Sequence, residues 1–231
     1  VEVLVQRDAP SLIDAQTSGR VEYAILSALG YAAAQQMCAC LEPLAAPTTI
    51  DGATGVRSVL LVDEGRGEGA LRSAPIGYGP RGSVTGDIAP MVAFRVDGAS
   101  LEEAGLDLRA QPSFEAARDA FVGGELAGIF AWDYAVADPE TRLGGGLGAA
   151  LVADESVPAT VIWRSDHVPF GPHTVRDSVP ADVRETLRQM LVELDELAPE
   201  AYDAISPSLG GGLLPVTEAD YAFAARLVRA I

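Results

Sequence analysis

Short apolar runs alternate with amphipathic segments along the whole chain, a pattern that predicts an α/β protein. Residues 1–5, Val-Glu-Val-Leu-Val, alternate with period two and predict a strand. Residues 10–18 predict a short helix stopped by Gly19, residues 21–26 a buried strand and residues 30–37 a helix. The clearest strand is residues 56–62, which ends in the run Ser-Val-Leu-Leu-Val and is followed by a glycine-rich acidic linker at residues 63–69. A second unit then begins with a strand at 75–78, a helix at 87–96, a helix at 114–122 and a strand at 126–132. Residues 138–148 are loop-rich, and residues 159–164 predict a further strand. Beyond the proline-rich stretch at 167–172, Val183, Leu187, Leu191 and Leu194 form one stripe of a helix over 181–197. The last helix opens on Thr217-Glu218-Ala219-Asp220, a capping-box pattern. No repeat of fixed period is present.

Charge narrows the possible chemistry. The 231 residues include 33 Asp or Glu and 16 Arg but no lysine, for a formal charge of −17. Without lysine there is no Walker-A phosphate loop, no pyridoxal Schiff base and no Ser-Lys pair. Such an acidic excess argues against a nonspecific nucleic-acid binder. The longest weakly polar stretch, residues 143–153, is far short of the about 20 residues that span a bilayer. No charged-then-apolar signal segment precedes Val1, and the chain opens directly on a strand-like run. The expectation is that something ahead of it was removed.

Few residues carry candidate chemistry. Cys38 and Cys40 read as two small buried apolar residues on one face of a strand, with a strained disulfide as the alternative. His167 and His173 flank a Pro-Phe-Gly-Pro turn at a spacing that does not suit a helical metal site. Both are read as turn residues, and neither a metal nor another cofactor is assigned. The most informative segment is Arg81-Gly82-Ser83-Val84-Thr85-Gly86. Its small residues let a ligand approach the backbone, and two hydroxyls stand beside free amides at a helix start, an anion-seeking arrangement. The alternative is an ordinary Ser/Thr helix cap. The spacing fits neither a Gly-x-Ser-x-Gly nucleophile elbow nor a dinucleotide fingerprint.

Several segments, in order, resemble the periplasmic binding proteins of phosphonate, phosphite and phosphate ABC transporters. Gly19-Arg20-Val21-Glu22-Tyr23-Ala24-Ile25-Leu26 with Tyr31 is similar to the family's G-x-V-D-x-A-x-L-G-P-x-x-Y, and Arg57-Ser58-Val59-Leu60-Leu61-Val62 to its hinge-side strand. Tyr78 to Gly86 aligns without a gap on F-G-D-P-x-S-T-S-G, and Pro90 falls where Y-L-x-P places one. Gly124 to Gly128, Val161 to Ser165 and Leu214 to Tyr221 complete a likeness over nearly the whole chain.

The resemblance implies a type II periplasmic-binding-protein fold, two α/β lobes around a ligand cleft, with residues 1–70 and 168–231 in one lobe and 71–167 in the other. It implies that the family's usual first strand and helix would precede Val1. It also implies capture of a small oxyanion outside the cytoplasm for an ABC permease, with membrane contact only through that permease or a lost anchor. Among ligand positions, Ser83 and Thr85 match the serines of the anion loop, Val84 keeps only the amide of its threonine, and Tyr31 matches a tyrosine that contacts the phosphonate oxygens. Asp133 falls near an aspartate that meets a ligand amine, or else it caps a strand end. Two donors are replaced: the second tyrosine is Val56, and the cleft histidine is Phe114. Arg57 and Arg81 are candidate replacement donors, against the alternative of solvated surface arginines. Phe114 with Trp132 is a candidate aromatic wall. The alternative functions are a binding protein for an aromatic or amine-bearing solute, and an enzyme on the same fold acting on a pyrimidine precursor.

Overall fold

The computed structural model describes residues 2–66, 69–138, 145–206 and 208–231. The chain forms two units, Val1–Gly55 with Val168–Ala230, and Val56–His167 with the terminal Ile231. The first crossing thus precedes the 56–62 run, earlier than the boundary at residue 70 read from the acidic linker.

The first unit is built on a four-stranded antiparallel sheet in the order Tyr23–Ile25, His173–Arg176, Leu41–Thr49, Gly210–Pro215. Only the first of these was expected as a strand. Leu41–Thr49 escapes pattern reading because Pro43 and Pro47 look like breakers. In the sheet they lie opposite Thr174 and Leu213, and each sits beside a register shift that accommodates the missing N–H. Leu44, Ala45, Val175, Leu191, Tyr202 and Leu213 form the core beneath helix Ala181–Val192. Glu42, on the strand, receives both Arg184, at 2.7 Å, and Arg188 from that helix. Helices Ala9–Thr17, Ala28–Cys38 and Ala222–Ala230 also belong to this unit. The first two are capped by Asp8 and Ser27, which accept from the amides of Ser11 and Gly30. The Thr217–Asp220 capping box forms as the sequence indicates.

Three expectations fail here. Residues 2–5 form no strand among the described residues, and Val3 and Val5 are 80% and 90% exposed. Alternation predicts which face would be buried but supplies no partner strand. Cys38 and Cys40 are disulfide-bonded and only half-buried. Cys38 ends a helix and Ala39 is left-handed at φ 47°, so a helix-terminal turn, rather than an extended strand, brings the sulfurs together. His173 is not a turn residue but a fully buried strand residue, in contact through Nδ1 with the Tyr23 hydroxyl.

The second unit holds a sheet with Gly55–Asp63, Gly128–Ala135, Ile76–Tyr78 and Leu108–Ala110 side by side, and Ala159–Arg164 pairs antiparallel with Gly55–Asp63. Ile76–Tyr78 runs parallel to both of its neighbours. Val59 and Leu61 pack on one face with Phe121, Ile129 and Leu151, while Leu60 and Val62 pack on the other with Ile76, Phe94 and Phe130. Burial on both faces explains the unbroken apolar run. Helix Phe114–Val122 and strand Ala159–Arg164 match their expected bounds. The helix expected over 87–96 instead occupies Val84–Ala93, as a π-helical turn followed by an α-helical one. It gives way to a hairpin whose Asp97-Gly98 turn takes φ of 51° and 84°, the left-handed pair that such turns favour. Helix Leu147–Ala153 overlaps the expected loop of 138–148, part of which (139–144) lies outside the described residues.

Most ion pairs outside the Glu42 cluster are exposed, including Arg20–Asp14, Arg72–Asp97, Arg109–Asp107 and Arg118–Asp119. Exposed pairs of this kind contribute little to stability.

Candidate functional site

The loop after Ile76–Tyr78 is closed by its own hydrogen bonds. Gly79 N donates to Gly86 O at 2.6 Å, Ser83 N to Pro80 O at 3.0 Å and Gly82 N to Asp87 Oδ2 at 2.7 Å. Ser83 is the helix cap, its Oγ accepting from Gly86 N at 3.0 Å. The amides of Asp87 and Ile88 both donate to Ser83 O, which makes the first turn wider than an α-turn. The amides of Val84 and Thr85, in that first turn, have no intrahelical acceptor. Capping and anion-seeking character therefore coexist: the cap satisfies one amide and leaves two.

Glycine is required at two places in this loop. A Cβ on Gly86 would lie 2.1 Å from the Gly79 carbonyl oxygen. Gly79 has φ 109°, and its Cβ would lie 2.6 Å from Gln111 O. From below, Ser58 on strand Gly55–Asp63 donates through Oγ to the Thr85 carbonyl at 2.5 Å, while its own amide donates to Ser165 Oγ at 3.0 Å. Ser58 is fully buried, and Thr85 and Asp87 are buried with it.

Sheet register gathers several candidates at one edge. Tyr78 lies opposite Ala110, and Gly77 opposite Ile129, so the 79–86 loop, residues 111–114 and the end of Gly128–Ala135 all follow the carboxyl ends of parallel neighbours. Open α/β sheets bind ligands at such an edge. Phe114 is half-buried as the first residue of its helix, which Ser113 caps by accepting from Ala116 N. Trp132 stacks edge-on against Tyr134 at 5.1 Å. Asp133 Oδ1 accepts from Ala149 N at 2.7 Å, so its carboxylate caps helix Leu147–Ala153. Burial raises its pKa, opposed by the amides of Ala149 and Gly148 and by Arg164.

The two arginines differ. Arg57 is not a solvated surface residue. It is 6% exposed, and its Nη2 donates to the carbonyls of Val136, Ala137 and Asp138 at 2.8, 3.3 and 3.1 Å. Arg81 is exposed, with Nη2 2.8 Å from the Tyr78 hydroxyl and its guanidinium 5.3 Å from the Tyr78 ring centroid.

Tyr31 belongs to the first unit. It is 1% exposed, with its ring edge-on to Tyr221 at 4.9 Å. Its buried hydroxyl has no hydrogen-bond partner among the described residues. Burial pushes its pKa up, aided by Glu218 and, less, by Glu42; Gln35, one turn on, works the other way without reaching hydrogen-bond geometry.

Two residues of this arrangement, Ser58 and Asp87, were missed as contributors. The signal for Ser58 was a small polar residue in an otherwise apolar strand, and for Asp87 an acid directly after the anion loop. Among the described residues no group of three His, Cys, Asp or Glu could hold a metal ion, and no helix is long and apolar enough to cross a membrane.

The sequence matches the family model described as "ABC transporter, phosphonate, periplasmic substrate-binding protein" over residues 1–221. The chain belongs to this phosphonate-binding family. Solved structures show the same fold. The binding-protein component of an ABC phosphonate transporter from Pseudomonas aeruginosa is 15% identical with a TM-score of 0.55, over 98% of this chain and 74% of that one. A Xanthomonas citri protein solved bound to ATP is 14% identical with a TM-score of 0.63, over 99% and 85%. PhnD1 from Prochlorococcus marinus, solved with methylphosphonate, is 11% identical with a TM-score of 0.52, over 100% and 85%. No curated protein matches the chain.

The fold is thus that of the type II periplasmic binding proteins, as the resemblance implied. The phosphonate-binding family consists of periplasmic proteins that bind substrates for ABC transporters, and membership favours capture of a phosphonate-class solute over the aromatic-solute and enzyme alternatives.

Proposed function

We propose that this chain captures a small tetrahedral oxyanion of the phosphonate, phosphate or phosphite class outside the cytoplasm and delivers it to an ABC permease, with no bond made or broken. One observation carries the reading: two amides, of Val84 and Thr85, have no intrahelical acceptor at a helix start that six hydrogen-bonding partners hold in place. Those partners are Gly79, Pro80, Gly82, Gly86, Asp87 and Ser58. The Ser83 and Thr85 hydroxyls flank the amides, and the helix dipole adds to them. Uncharged donors suffice within a protein of charge −17, because nearby aligned dipoles outweigh distant carboxylates screened by salt.

Asp133 as partner of a ligand amine is the weaker reading, since its carboxylate is engaged as a helix cap. Calorimetric titration with phosphate, phosphite and methylphosphonate tests the proposal. Binding of at least one, weakened about tenfold or more in Thr85→Ala, is the expected result. Absence of heat with all three sinks it.

A further inference from the structure

The charge inventory of the loop restricts which oxyanions it suits. Asp87 is 9% exposed, and its Oδ2 takes the Gly82 amide, so a carboxylate is built into the turn that presents Val84 and Thr85. It removes one donor from the loop and sets an acidic side chain in the same helical turn as the other two. Among the described residues, positive charge is poorly arranged to offset it. The chain has no lysine, Arg57 holds three carbonyls with Nη2, and Arg81 is turned onto Tyr78. At the neighbouring strand end Asp133 is itself acidic, with Arg164 in electrostatic reach.

We propose that Asp87 makes this site selective for singly charged tetrahedral head groups, a sulfonate or the monoanion of a phosphonate, over dianions. The inference rests on the oxyanion reading and sharpens its ligand class. The first negative charge of a ligand meets aligned amides and hydroxyls. Among the described residues, a second meets the Asp87 carboxylate, a like charge in a partly desolvated turn, where repulsion is far stronger than in bulk water. Sulfate and methanesulfonate separate the two cases, because both are tetrahedral and their charges, two and one, do not change near neutral pH.

Calorimetry of the full chain at one pH and one ionic strength, with methanesulfonate, sulfate and methylphosphonate, tests this. Methanesulfonate should bind about tenfold or more tighter than sulfate, and Asp87→Asn, which keeps an acceptor for the Gly82 amide, should shrink that ratio about tenfold, chiefly through tighter sulfate binding. Sulfate binding as tightly as methanesulfonate in the wild type overturns the proposal. So does a ratio unchanged by Asp87→Asn. If that variant does not fold, the wild-type ratio decides alone. Binding of methylphosphonate, with sulfate held as tightly as methanesulfonate, defeats this inference and leaves the oxyanion reading intact. Failure of all three ligands to bind defeats this inference, and the oxyanion reading falls with it only when phosphate and phosphite also give no heat.

Discussion

Ser58 Oγ donates to the carbonyl of Thr85 at 2.5 Å, tying the central strand of the second unit to the first turn of the anion loop. Removing the hydroxyl orphans a buried carbonyl. Ser58→Ala is expected to destabilise the protein by about 1–3 kcal/mol and to weaken oxyanion binding by loosening the helix start. Urea denaturation and titration of the same sample measure both effects. Unchanged stability would show that the contact contributes nothing.

Gly86 is the least replaceable residue of the loop. In Gly86→Ala the new Cβ meets the Gly79 carbonyl at 2.1 Å, and backbone must move because no flexible side chain stands between. The expected loss is about 3 kcal/mol or more, with ligand binding abolished. A melting temperature equal to the wild type's would contradict the closed loop.

Tyr31 separates stability from binding. Its hydroxyl is buried and without a partner among the described residues, so Tyr31→Phe should leave stability unchanged or raise it by about 1 kcal/mol. If Tyr31 serves as a ligand donor, affinity falls in the same variant even as stability holds. Tyr31→Ala, which also removes the packing on Tyr221, should instead cost about 3–5 kcal/mol.

His173 makes stability depend on mild acid. Burial lowers its pKa from 6.5 to about 4, so between these values the unfolded imidazole binds a proton that the folded one excludes. Stability should therefore fall as pH drops from about 6.5 towards 4, by up to about 3 kcal/mol from this group. Asp133, whose raised pKa acts in the opposite sense at lower pH, is common to wild type and variant. The difference in denaturation free energy between wild type and His173→Gln, followed from pH 7 to pH 4, isolates the histidine. A difference that does not change with pH would rule the effect out.

The Cys38–Cys40 disulfide closes a very short loop, with a sequence separation of 2. Chain entropy alone gives it about 1.5 kcal/mol. Reduction should accordingly lower stability modestly without unfolding the first unit, which thermal melts with and without reductant will show.

Much of the second unit was legible because its information is local. The Val59 to Val62 run carries its burial in its composition, Phe114–Val122 in its Ser113 cap and stripe, and the Ser83 loop in its small residues. The first unit hid its sheet because the features that permit it are not local. Pro43 and Pro47 are tolerated in Leu41–Thr49 only through irregularities of pairing with strands that arrive more than a hundred residues later. His173 looked like part of a proline-rich turn, yet the decisive fact is a contact with Tyr23 across 150 positions. At the candidate site, the hydroxyls were visible in sequence. The support from Ser58 was not, since it reaches across 27 positions to a carbonyl, which any residue could have supplied.

The paired arginines have a kinetic consequence. Arg20, Arg72, Arg109 and Arg118, four of the 16 arginines, each lie against a carboxylate, and with a formal charge of −17 the far field is set by the remaining acids. An approaching anion is repelled at long range before it meets any attractive dipole. Salt confines that repulsion to about 8 Å at physiological strength, so association should accelerate as salt is added while escape from the loop is little altered. Such a receptor takes up its ligand faster in brine than in fresh water.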